Sequence, residues 1–167
     1  IEPHTRRRNR ANGQVRALRE GGFDVTVKQS FGNCPKYIHA RRPGPAPAGN
    51  PLPPVRLGPL LDPPSVELLQ RADTLYIASA SARQVGNARS DGIDVSHRAG
   101  LPGFVRISQG PRGLRLTLPD YQGNFYFNTL GNLLAWGKAG LLVPDFDDGT
   151  MLHLAADASI EFDGPAV

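Results

Sequence analysis

Residues 124–146 read NFYFNTLGNLLAWGKAGLLVPDF. Two apolar segments of strand character flank a short segment of helical character. Leu130, Leu133 and Leu134 recur at the spacing of one helix face. Lys138 and Gly140 suit the end of such a helix. The stretch therefore predicts a single short helix over about 129–138, set between two strands. Its mouth carries Asn128, Thr129 and Asn132. Small polar side chains there either cap the helix or face something anionic.

Working outward, strand patterns recur on both sides. TLYIAS (74–79), IDVSH (93–97), FVRI (104–107), LRLTL (114–118), FYF (125–127), GLLVPDF (140–146), MLHLA (151–155) and ASIEF (158–162) follow at short intervals. Turn signals separate them at Asp91-Gly92, Ala99-Gly100, Gly110-Pro111, Gln122-Gly123 and Asp148-Gly149. Many short strands at this spacing predict a mainly β chain closed as a barrel or a sandwich. A second helix is expected to open at Ser65 as N-cap and run through VELLQRA, with Glu67 in its first turn. Residues 41–64 hold 9 of the 16 prolines and no periodicity, which predicts a semi-rigid arm. Before it, residues 5–29 read as an antiparallel pair turning at Asn12-Gly13, with PheAspValThrVal (23–27) alternating. SFGNCPKYIHA (30–40) fits a short helix with Pro35 in its first turn. Three units result: 1–40, the arm 41–64, and a β-domain over 65–167.

The charge is local. Six arginines (6, 7, 8, 10, 16 and 19) stand against Glu2 and Glu20 in the first twenty residues, and the rest of the chain is balanced. That distribution argues against a protein that coats nucleic acid. TRRRNR reads as a solvated strand or tail, because no aromatic platform is interleaved with it. No apolar run approaches a membrane span. The single cysteine, Cys34, excludes an internal disulfide and is compatible with a reducing cytoplasm. The chain opens on Ile1 and its only methionine is Met151, so an upstream half is expected.

The common catalytic signatures are absent: no GxSxG, P-loop, HExxH or CxxC occurs. Cys34 and His39 have no further ligands near them in sequence, so no metal site is expected. DFDDG (145–149) has Ala156 at the twelfth position of a would-be calcium loop, and reads as a hairpin turn. What remains is basic and aromatic. On PheValArgIle, Phe104 and Arg106 fall on one face and Val105 and Ile107 on the other. An arginine within an apolar strand is costly unless it is solvated or meets an anion. Arg98, Arg106 and the amides near residue 130 are candidates to hold a phosphate together.

IDVSHRAGLPGFVRI, PDYQGNFYFNTLGNLLAWGKAGLLVPDF and MLHLAADASI resemble the FMN-binding split-barrel superfamily, in its group related to pyridoxamine 5′-phosphate oxidase. TRRRNRANG and VKQSFGNCPKYI resemble the same group, where they belong to a longer two-part chain. The resemblance covers about 1–40 and 65–162. It implies a six-stranded antiparallel split β-barrel with short helices, a homodimer, and FMN at the subunit interface. It places the flavin phosphate on Arg106, with Phe104 and Val105 beside it on the strand. Tyr126, Phe127, Asn128, Thr129 and Asn132 would add donors or line the ring, and His97 and Arg98 would reach the phosphate or the ring. The chain departs from the oxidase pattern where that has Ser-x-Lys at the helix start, since Gly131 and Leu133 stand there. Two functions follow: a flavoprotein oxidoreductase with FMN as cofactor, or a non-catalytic split-barrel module with a degenerate flavin or haem site. Either would be a cytoplasmic homodimer.

Overall fold

The computed structural model describes residues 1–42, 44, 52–82, 88, 91–111 and 113–164. Among these residues there are eight strands and two helices: β1 (Asn9–Arg19), β2 (Gly22–Gly32), α1 (Pro63–Arg71), β3 (Thr74–Ala80), β4 (Ile93–Ala99), β5 (Arg106–Gly110), β6 (Gly113–Thr117), α2 (Asn128–Ala135), β7 (Lys138–Pro144) and β8 (Met151–Asp157). Every pairing is antiparallel. The chain is mainly β.

The strands fall into three sheets. A central one has the order β4-β3-β7-β8, and two hairpins, β1-β2 and β5-β6, stand outside it. Among the described residues the sheets do not close into a barrel. Leu69, Leu75 and Val143 are fully buried at the centre of the core. Leu68, Ile77, Phe104, Val105, Leu133, Leu141 and Leu152 surround them, so α1, α2 and the central sheet share one interior. Ile107, Leu116 and Leu118 bring the β5-β6 hairpin onto the same core. No helix among the described residues is long and apolar enough to cross a membrane.

Several elements differ from what the sequence predicts. Asn12-Gly13 is not a turn. It lies inside β1 at a break in register, and the hairpin reverses at Glu20 and Gly21 instead. Gly21 has φ of +77°, which suits glycine. A Cβ on Gly13 would sit 2.2 Å from the Thr26 carbonyl oxygen, so its role is close approach within the bulge. No helix forms over 30–40: β2 runs on to Gly32, and a turn follows at Lys36 and Tyr37. α1 begins three residues early. Asp62 is its N-cap and accepts from the Ser65 amide at 3.1 Å, while Pro63 and Pro64 fill first-turn positions that need no N–H donor. Ser65 is thus a buried first-turn residue rather than the cap, and no acidic residue stands in that turn.

FYF (125–127) and ASIEF (158–162) are not strands. Phe125 has φ of +60°, which breaks any extended run, and Ala158 and Ile160 reach the core from irregular backbone. Phe104 and Val105 precede β5 rather than belonging to it. Of the proline arm, Pro43 and residues 45–51 lie outside the described residues, and 52–60 are exposed without regular structure. The 145–149 stretch is the β7-β8 turn, closed by the Asp145 amide on the Thr150 carbonyl at 2.8 Å.

Candidate functional site

α2 lies on one face of the central sheet. Register fixes which residues share that face: Arg98 opposes Leu75, Ser96 opposes Ile77 and Asp94 opposes Ser79. Directly opposed residues point the same way. Asp94, Ser96 and Arg98 therefore face the core and α2, while Val95, His97 and Ala99 face away.

Asp94 is the anion at the mouth of α2. It is 2% exposed and accepts from Thr129 Oγ1 at 2.6 Å, from Ser96 Oγ at 2.9 Å and from the Arg10 guanidinium, with which it forms an ion pair. A buried carboxylate needs such partners. The positive end of α2, opening at Asn128, favours the charge further. Thr129 does not cap the helix: Phe127 holds the N-cap position, and no side chain bonds there. Asn132, one turn on, donates to Ser79 Oγ at 3.2 Å.

Arg10 belongs to β1, and it is one of three side chains that dock the β1-β2 hairpin on the outer edge of β4. Arg8 donates to the Val95 carbonyl at 3.1 Å and to Ser96 Oγ at 3.0 Å. Asn12 donates to the Ile93 carbonyl at 2.8 Å. Side-chain donors thus occupy the β4 edge where another strand would otherwise pair. The TRRRNR run is therefore not merely a solvated tail: Arg8 and Arg10 are structural, and Arg10 also lies over the Phe31 ring at 4.7 Å.

His97, read from sequence as a group near the flavin, is buried on the other face. Its Nδ1 accepts from Arg8 at 3.1 Å and its Nε2 meets the Lys36 carbonyl at 3.2 Å, which fixes a neutral ring protonated at Nε2. Burial above all, and then the Arg8 cation, push its pKa down to about 4. Arg98 is half-buried. It pairs with Asp120 at 3.2 Å and donates to its neighbour's carbonyl, that of His97, at 3.1 Å. Burial draws the Arg98 guanidinium below its ordinary value and Asp120 opposes the shift.

The other candidates separate into two sets. Phe104 and Val105 are core residues and present no face to a flavin ring. Their burial also corrects the expectation that Phe104 shares a surface with Arg106, which is exposed on β5 and whose side chain has no ion-pair or hydrogen-bond partner among the described residues. Tyr126, Phe127 and Asn128 are exposed at the entrance to α2, and the rings of Phe125 and Phe127 meet edge-on at 6.4 Å. Arg98 stands four residues along β4 from Asp94, about 13 Å at the rise of a strand. Within one chain, Arg98 and the first turn of α2 are thus not assembled around a common point. The groups left for an anionic tail are Arg106, Asn128 and the first-turn amides.

The residues that sequence reasoning missed are Asp94, Arg8 and Arg10. One signal was present, an aspartate alternating into the apolar run IleAspVal, because a carboxylate on an inward face requires a cation or several donors. Comparison with family models, with curated proteins and with solved structures finds no match to this chain.

Proposed function

We propose that the protein is an FMN-binding flavoprotein of split-barrel architecture, an oxidoreductase of the pyridoxamine 5′-phosphate oxidase-related group acting as a cytoplasmic homodimer. The observation that carries the reading is the arrangement of the strands from β3 to β8. These six strands divide four and two between a central sheet and a hairpin, and both parts pack on one core with α2. The free Arg106 guanidinium supports a phosphate contact. The exposed Tyr126 and Phe127 supply flat apolar surface for a ring, which a second copy of the chain would cover. When bound, the flavin supplies the electron-transfer chemistry, and the protein binds and orients it.

A second reading, a non-catalytic module with a degenerate flavin or haem site, is favoured by one observation. Thr129, Asn132 and Arg98 already spend their polar groups on Asp94, Ser79 and Asp120. Titration of the purified protein with FMN separates the two. The flavin reading expects flavin absorption or saturable binding at micromolar FMN, weakened about tenfold or more by Arg106→Ala, the loss of one charged hydrogen bond. A colourless protein that binds no added FMN leaves the second reading.

A further inference from the structure

A groove of about 370 Å³ opens where the chain leaves β4, against the segment that follows β2. Arg6, Tyr37, His39 and Tyr121 stand on its walls, with Ile38 and Ala99 giving it an apolar floor. Ala99 belongs to the face of β4 that carries His97, opposite the face on which Asp94 meets α2. None of the groups proposed above to hold a flavin lines it. Its volume is at the lower end of the range for small-ligand sites.

The groove is built rather than incidental. Among the described residues, three that are not glycine have positive φ, and two of them, Arg6 at +57° and Tyr37 at +67°, are here. Each conformation disfavours a side chain, and each is held by neighbours. The Arg6 amide bonds the Pro3 carbonyl at 3.2 Å within a turn closed by the Glu2 and Arg7 bridge. The Tyr37 hydroxyl donates to the Gln122 carbonyl at 2.8 Å, and Lys36 Nζ donates to the same oxygen at 2.8 Å. That shared anchor carries Tyr121 alongside, and the two tyrosine rings stand 5.5 Å apart with 39° between their planes. Arg6 has no ion-pair or side-chain hydrogen-bond partner among the described residues. The nearby Asp120 is already paired with Arg98.

We infer that this groove binds a planar aromatic carboxylate, its ring against Tyr37 and Tyr121 and its charge on the Arg6 guanidinium. Both rings are partly exposed and offer aromatic surface to a flat ligand, and the Lys36 ammonium already lies over the Tyr37 ring at 5.1 Å. A guanidinium at their rim offers the paired donors that a carboxylate accepts. His39 bonds the Gly100 carbonyl through Nε2 at 3.2 Å, which holds the far wall in place.

The test uses 2-naphthoate and its uncharged partner 2-naphthamide, titrated by calorimetry against the whole chain. Sub-millimolar saturable binding of naphthoate is expected, with naphthamide weaker by about tenfold or more. Arg6→Gln should abolish that preference for charge, and Tyr121→Leu should weaken both probes. Both side chains are surface groups, so unchanged melting temperatures check that the variants fold. Arg106→Gln should leave naphthoate binding unchanged, and FMN should not compete with it. Failure to saturate at millimolar naphthoate, equal affinity for the amide, or indifference to Arg6→Gln would overturn the inference. Displacement by FMN would also overturn it, by making the groove part of the flavin site. Because the assignment does not rest on the flavin reading, a protein that binds naphthoate and no FMN retains the first and loses the second.

Discussion

At the residue scale, Asp94 and His97 hold opposite faces of β4, and each has a measurable signature. Asp94→Ala leaves Arg10 without its anion in a site where that side chain is 10% exposed. Removing one partner of a buried pair costs about 3–5 kcal/mol, so chemical denaturation should show a loss of that order. Arg10→Met, which removes the cation and keeps the packing, should cost more than a surface change, because Asp94 then relies on Thr129 and Ser96 alone. For His97 the sign follows from which state takes the proton. Its folded pKa of about 4 lies below the ordinary 6.5, so between those values the unfolded chain is protonated first. Stability is full above pH 6.5, falls as pH drops towards 4, and levels off below it, a total of roughly 3 kcal/mol. His97→Gln keeps an acceptor for Arg8 and a donor for the Lys36 carbonyl but takes no proton. Denaturation midpoints of that variant should lose this part of the acid slope.

At the scale of elements, the reading from sequence succeeded where one face is buried and failed where none is. β3, β4, β7, β8 and α2 lie within a few residues of their predicted positions, because alternation or helical spacing marks the side that meets the core. Along β1 and β2 nearly every side chain is exposed, so no apolar face fixes the register. The Asn12-Gly13 signal therefore outweighed Glu20 and Gly21, although the true reversal is at the latter. Phe125, Tyr126 and Phe127 imitate a strand by composition, but no neighbouring strand receives them. The site was half legible for a related reason. Residue types left a cap and an anion as alternatives at the mouth of α2, and pattern alone does not show that an anion stands there or that it is the chain's own Asp94, which is 35 residues from Thr129 in sequence. Gly13→Val drives a side chain into the Thr26 carbonyl. It should destabilise the hairpin by roughly 1–3 kcal/mol, seen as faster amide exchange in β1 and β2 with β3 unaffected. Leu75→Ala, at a site with no solvent exposure, should instead lower the stability of the whole domain by about 2–5 kcal/mol.

At the scale of the molecule, much apolar surface lies uncovered. Val15, Leu18, Phe23 and Val27 are exposed along the outer part of the β1-β2 hairpin, and Leu134 and Met151 are exposed elsewhere. Such surface favours association, and the flavin reading calls for two copies. Sedimentation should therefore find a dimer at tens of micromolar, with Leu18→Lys and Phe23→Lys moving the population towards monomer. A monomer at that concentration would remove the shared flavin site with it. The polar docking of the hairpin has one more consequence. A rim closed by a continuous backbone ladder tolerates exchange of any one side chain, whereas this rim hangs on a few, and its one ion pair lies too deep for electrolyte to screen. Arg10→Met should therefore unfasten the N-terminal hairpin before the central sheet melts, in low and high salt alike. Limited proteolysis of that variant would then cut near Glu20 and leave the remainder of the chain intact.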